Sequence, residues 1–140
     1  YAIEILKEYF PKKRIIDLDL KKNDKIPYEG ILHLDCTFNP IGKDKCIIYK
    51  NGFVDQNDYE LIIDIFGEEN CFHVTDEEMF EMNPNIFSIS PEVVVSDHTF
   101  TRMNKHLRDV WGFTVEEIPY REVSKMGGLL RCSTMPLVRE

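Results

Sequence analysis

One pattern limits what this chain can become: the order strand, strand, helix, strand is written twice in succession. In the first copy Ile31 to Phe38 reads as a strand, Asn39-Pro40 with Gly42 supplies a turn, and Lys45 to Tyr49 is a second strand. Asn57 opens a helix, with Glu60 three residues on at capping-box spacing, and Gly67 closes it. Cys71 to Val74 is the third strand. The second copy runs from Asn85 to Ser90, breaks at Pro91, and resumes as a strand from Glu92 to Ser96. A helix follows from Thr99 to Trp111, with Phe100, Met103, Leu107, Val110 and Trp111 as its buried stripe and Gly112 as its stop. Phe113 to Ile118 is the closing strand, and Thr75 to Glu81, with a Thr-x-x-Glu cap, joins the copies as a short helix.

The ends are ragged. Tyr1 to Phe10 places Ala2, Ile5, Leu6 and Tyr9 on one helical face before Pro11, Arg14 to Leu20 reads as a strand, and Cys132 to Val138 reads as a last strand. Repeat units bury their faces against neighbours, so these pieces are expected to belong to further units. The expectation is a truncated α/β repeat protein whose exposed sheet edges favour self-association.

Composition narrows the function classes. With 140 residues and 43% of them hydrophobic, one domain with a real core is expected. A net charge of -8 with no offsetting basic block excludes a nucleic-acid backbone as the main partner. No apolar run approaches the roughly 20 residues that span a bilayer, and the first ten residues do not resemble a secretory signal. Cys36, Cys46, Cys71 and Cys132 match no zinc-site spacing and are too sparse for a disulfide scaffold, so free thiols in a reducing cytoplasm are expected.

Three residues stand out chemically. Cys132 follows Gly127-Gly128, where the backbone can pass close to a ligand, and Arg131 beside it suits a thiolate. The competing reading is a buried structural cysteine. His33 and Asp35, two apart on an expected strand, share one face, where an imidazole can move protons and a carboxylate can hold a guanidinium bidentately. A metal site or a polar edge strand would use the same pair. Cys36 is expected on the opposite face, Cys46, Cys71 and Trp111 in the core, Asp97-His98 as a cap, and Asp76-Glu77-Glu78 as a solvated face.

The stretch from His33 to Gly42, His-Leu-Asp-Cys-Thr-Phe-Asn-Pro-Ile-Gly, resembles the His-Leu/Ile-Asp motif of arginine deiminases and glycine amidinotransferases. The stretch from Gly127 to Glu140 resembles their C-terminal cysteine motif, and the Met82-Asn83 region with the strands to Val95 resembles the segment before their last helix. The resemblance covers about Gly30 to the end and implies the C-terminal portion of a five-bladed α/β propeller, the pentein fold, with two to three of its blades present over residues 1–140. It implies that Cys132 is the nucleophile on a guanidinium carbon, that His33 is the general acid and base, and that Asp35, Gly127, Gly128 and Arg131 bind substrate. No metal or organic cofactor is implied, and the partner is arginine or a related guanidinium compound.

Two points stay open in the sequence. The gap from Gly128 to Arg131 is similar to amidinotransferases, whereas Met135-Pro136 is similar to deiminases, so the acceptor is an amine or water. The further guanidinium-binding carboxylate that the family draws from earlier blades has no match here, Asp17 and Asp19 included. A catalytically incomplete arginine-binding or assembly module is therefore the second reading, and a generic thiol hydrolase the third.

Overall fold

Strand β2 (Lys45–Ile48) organises the first unit of the computed structural model, because it is covered on both faces. The structure describes residues 1–23, 25, 26, 29–135 and 137; Asp24, Pro27, Tyr28, Pro136, Val138, Arg139 and Glu140 lie outside the described residues. Strand β1 (Phe38–Ile41) pairs antiparallel with β2, Phe38 opposite Ile48 and Ile41 opposite Lys45. The hairpin turns at Gly42, whose φ of 59° suits glycine. Helix α2 (Gln56–Phe66) then carries the chain across the sheet, and β3 (Cys71–His73) returns parallel to β2. A parallel pair needs such a crossover, which is why a helix separates β2 from β3.

The second unit repeats the topology. Strands β4 (Phe87–Ser88) and β5 (Val93–Asp97) are antiparallel, helix α4 (Thr101–Asp109) crosses, and β6 (Thr114–Ile118) lies parallel to β5. Both sheets keep sequence order, β1-β2-β3 and β4-β5-β6. Helix α3 (Asp76–Phe80) joins them with a full capping box between Thr75 and Glu78. The remaining helices are α1 (Ala2–Tyr9), α5 (Arg121–Ser124) and α6 (Leu130–Ser133). The fold is thus α/β with two three-stranded sheets, and no closed ring of blades forms among the described residues.

Strand parity decides which core each residue joins. Cys46, Ile48 and Cys71 point toward Phe53 and Ile62 beneath α2. Ile47 and Phe72 point the other way, into a larger cluster with Ile86, Val94, Phe100, Met103, Leu107, Leu129 and Leu130. That second cluster draws on both units and on the segment before Cys132, so packing of one unit on the other fixes the C-terminal loop. Arg102 adds a polar clamp: its Nε donates to Glu78 Oε1 at 2.7 Å, its Nη2 to the His73 carbonyl at 2.7 Å, and its guanidinium lies 4.3 Å from the Phe72 ring centre.

Several expected elements differ. Arg14 to Leu20 is no strand; Leu20 makes only an isolated bridge to Phe53, with no flanking ladder to continue it. The segment from Ile31 to Phe38 enters β1 only at Phe38 and carries a short 3-10 turn, Leu34–Cys36, and Asn39-Pro40 lies inside β1 and not in a turn. Helix α2 is capped by Asp55, whose carboxylate accepts from the Asn57 amide, in place of an Asn57–Glu60 box. The last strand expected from Cys132 to Val138 does not form over its described residues: Cys132 and Ser133 close helix α6, and Pro136 and Val138 lie outside the described residues. Val110 is exposed, because α4 ends at Asp109 before its stripe reaches it. In the acidic run Asp76 and Glu77 are exposed as expected, with Asp76 accepting from Tyr49 and Asn51, whereas Glu78 is half-buried and accepts from Arg102.

Asp97 closes the second unit. It is 0% exposed, and its carboxylate accepts from the Thr99 amide (2.8 Å), the Thr99 hydroxyl (2.6 Å) and the Tyr120 amide (2.6 Å). Burial pushes this carboxyl up, but the Thr99 and Tyr120 hydrogen bonds outweigh it and hold the pKa below the usual carboxylate range. A folded pKa below the unfolded one stabilises the fold above the unfolded value, roughly pH 4, and that contribution is lost as pH falls through the folded value. Asp97→Asn is expected to lose about 1–3 kcal/mol at pH 7. Its melting temperature should also fall less steeply than wild type between about pH 5 and 3, measured by circular dichroism melts.

Candidate active site

The turn after Ile31 is built by anchoring both its ends. Lys22 Nζ donates to the carbonyls of Ile31 (2.6 Å) and Leu32 (2.9 Å). Beyond the turn, buried Thr37 accepts the Tyr49 amide at 2.7 Å and returns its hydroxyl to the Tyr49 carbonyl at 3.0 Å. Gly52 sits so close that an added Cβ would meet Thr37 Oγ1 at 2.0 Å. Between these anchors His33 is extended and exposed, and Asp35 stands on the 3-10 turn, half-buried. The two are neighbours because a tight turn draws them together, and not because they alternate on a strand.

Cys132 arrives from the other end of the chain. Gly127 and Gly128 take φ of 80° and 95°, a left-handed bend that side-chain-bearing residues resist. Leu129 and Leu130, 0% and 4% exposed, then plug into the shared core. Cys132 follows on α6, exposed, with Sγ 3.9 Å from Asp35 Oδ2. One ligand-type atom from each of His33, Asp35 and Cys132 lies within 4.8 Å of the other two. This is the one such group among the described residues whose spacing would also admit a metal ion. The structure therefore brings together three sequence candidates from segments nearly a hundred residues apart.

The other candidates sit as follows. Gly127 and Gly128 line a cavity of ≈ 760 Å³ together with Lys22, Ile31, Cys36 and Met79. The three converging side chains are not in its lining and stand beside it. Arg131 is exposed, and its described contact is through its backbone, the amide donating to the Asn85 carbonyl at 3.1 Å. Cys36, one residue from Asp35, is 3% exposed. Burial, with the Asp35 carboxylate adding to it, pushes that thiol up to about 11, so it stays neutral at physiological pH. Cys46 and Cys71 face each other at 3.4 Å in the core, and burial raises both.

The residue that the sequence did not single out is Asn85. It is fully buried, and its Oδ1 accepts from the amides of Leu129 (2.9 Å) and Cys132 (3.2 Å). Its Nδ2 lies 3.2 Å from Cys132 Sγ and 3.4 Å from the Asp35 carbonyl. Asn39, also buried, grips the carbonyls on either side of it, Pro84 at 2.7 Å and Ile86 at 2.9 Å. Two asparagines at positions expected to be turn or strand were the available signal, because asparagine is a poor strand residue unless its amide has partners.

Two outcomes follow from this geometry. Iodoacetamide at pH 8 should modify Cys132 well before Cys36, Cys46 or Cys71, read by peptide mapping, because the thiolate reacts and only Cys132 is exposed. Gly127→Ala meets open space and should cost about 1 kcal/mol from its backbone alone. Gly128→Ala adds a Cβ 2.7 Å from the Cys132 Cβ, so it should cost about 2–3 kcal/mol and alter the Cys132 alkylation rate, measured by urea unfolding beside mass spectrometry.

Known proteins resemble this chain in sequence or in fold. YkgA of Bacillus subtilis (strain 168) is 30% identical over 138 residues, 99% of this chain and 44% of YkgA. The product-bound N-terminal domain of ArgZ, an arginine dihydrolase from the ornithine-ammonia cycle in cyanobacteria, superposes with a TM-score of 0.80 at 20% identity. That match covers 99% of this chain and 47% of the other. SxtG of Microseira wollei, an amidinotransferase in the saxitoxin biosynthetic pathway, gives a TM-score of 0.72 at 21% identity over 99% of this chain and 39% of its own. The last two likenesses concern the fold, and the chain spans less than half the length of each of these relatives. The family model for arginine deiminase matches residues 51–139, well over half of the sequence. On that match the chain belongs to the arginine deiminase family, within the pentein superfamily of guanidine-modifying proteins.

Proposed function

We propose that this chain carries the nucleophile-bearing part of an active site that cleaves a C–N bond of arginine or a substituted arginine. The observation that carries the reading is the convergence of His33, Asp35 and Cys132 within 4.8 Å on an otherwise well-packed frame. The fold's likeness to an arginine dihydrolase and an amidinotransferase supports it. In this reading the two units are two blades of a five-bladed propeller.

Each residue has a defined part. Asp35 accepts two N–H groups of the guanidinium and holds the cation planar. The Cys132 thiolate attacks the guanidinium carbon, forming a C–S bond and a tetrahedral centre. That centre collapses as the C–N bond breaks; the electron pair goes to the departing nitrogen, which takes a proton from His33. The product of this half is an amidino-thioester on Cys132. His33, now neutral, removes a proton from the incoming water or amine as it attacks the same carbon, and the C–S bond breaks to regenerate the thiolate. Gly127 and Gly128 leave room for the substrate, and Arg131 contributes positive charge beside the thiolate.

A second reading is an arginine-binding module without turnover. The test is a haloacetamidine, the cationic counterpart of iodoacetamide, followed by intact-mass measurement and peptide mapping. The proposal expects one adduct, on Cys132, formed about 10–100-fold faster than with iodoacetamide, with that advantage lost in Asp35→Ala. Equal rates for the two reagents, or labelling spread over the cysteines, would sink the guanidine reading for this chain. With arginine as substrate, Cys132→Ser should abolish product while leaving arginine affinity within about threefold; affinity without any wild-type product would support the binding module.

A further inference from the structure

Every hydrogen-bonding position of the Asn85 carboxamide is taken. Its oxygen accepts two backbone amides, from Leu129 and Cys132, and its nitrogen faces two acceptors, Cys132 Sγ and the Asp35 carbonyl. The orientation of the amide follows from chemistry, because turning it over would set an NH2 group against two N–H donors. Asn85 therefore touches both arms of the site, 50 residues from Asp35 and 47 from Cys132, and it is 0% exposed. Asn39 holds it in place by binding the carbonyls on either side, and the Arg131 amide binds its own carbonyl.

We propose that Asn85 is a positioning residue for Cys132: its oxygen fixes the backbone of the cysteine turn, and its NH2 donates to the sulfur and favours the thiolate. The proposal rests on the reading of Cys132 as nucleophile, but its consequence is a property of the sulfur and needs no substrate. A buried N–H aimed at a sulfur stabilises the charged form more than the neutral one, because the stronger acceptor gains more from the same donor. The donor is preorganised, since the oxygen end of the same amide is already held by two N–H groups. Cys36 is shut in the core, where burial outweighs the backbone hydrogen bond from His33, which separates two thiols flanking the same carboxylate.

Asn85→Asp removes the donor and keeps the acceptor. It keeps an oxygen for the Leu129 and Cys132 amides and replaces the NH2 beside Sγ with a carboxylate oxygen. The rate of Cys132 alkylation by iodoacetamide, followed from pH 5 to 10 by mass spectrometry, should keep its high-pH plateau. Its midpoint should move up by about one pH unit, so that labelling at pH 7 falls about tenfold. Because aspartate also brings a negative charge beside Sγ, the uncharged Asn85→Leu is titrated alongside it: a raised midpoint in both supports the donor role, and an unchanged midpoint in Asn85→Leu overturns the proposal. Should the variants unfold, recognised by labelling of Cys36, Cys46 and Cys71, the wild-type chain decides. With asparagine side chains labelled with ¹⁵N, the Asn85 NH2 resonance should titrate with the same midpoint as Cys132 alkylation and stop titrating in Cys132→Ala. An Asn85 resonance indifferent to Cys132 ionisation overturns the proposal as well. Failure of the haloacetamidine test would leave these titrations intact, so the two readings fail separately.

Discussion

The buried carboxamide of Asn85 is the constraint on which the candidate site depends. Four hydrogen bonds from one side chain join the turn bearing Asp35 to the turn bearing Cys132. Removing such a group from water is unfavourable unless every position is satisfied, and here each one is. The side chain therefore tolerates little displacement of either turn. Its own support is layered: Asn39 on β1 grips the carbonyls before and after it, and β1 is held by β2 at the centre of the first unit.

Beneath that polar seam lies an apolar one. Ile47 and Phe72 from the first sheet, Val94 from the second, and Leu129 and Leu130 from the cysteine segment share one core. Burying five such side chains is worth several kcal/mol, so the exposed Cys132 sits on a rigid mount even though α6 is only four residues long. The glycine pair ahead of it works the other way. Gly127 and Gly128 supply a left-handed bend that the leucines then lock. The same packing sorts the thiols: Cys36, Cys46 and Cys71 are enclosed and kept neutral, and Cys132 is left open.

Legibility in the sequence followed the range of the forces involved. The two strand-strand-helix-strand units were readable because hydrophobic periodicity and caps such as Thr75 with Glu78 act within a few residues. Readings failed where a long-range contact overrode the local pattern. The alternation from Ile31 to Phe38 looked like a strand, but anchors at Lys22, Tyr49 and Gly52 fold it into a turn. Arg14 to Leu20 has strand composition and, among the described residues, no neighbouring strand beyond the Leu20 bridge, and a strand without a ladder is not one. Cys132 and Ser133 end a short helix because Leu129 and Leu130 ahead of them are drawn into a core built by both units.

By itself the sequence determined the α/β class, the repeat, the enclosure of Cys46 and Cys71 and, through the two motifs, the family. All of these rest on local pattern or on residues in a fixed order along the chain. Only the tertiary structure decided that His33, Asp35 and Cys132 meet, that a tight turn and not a pleated strand presents the first two, and that Asn85 binds the arms together. Those facts depend on contacts across 47 to 97 residues, where chain position carries no distance information until the two sheets have packed.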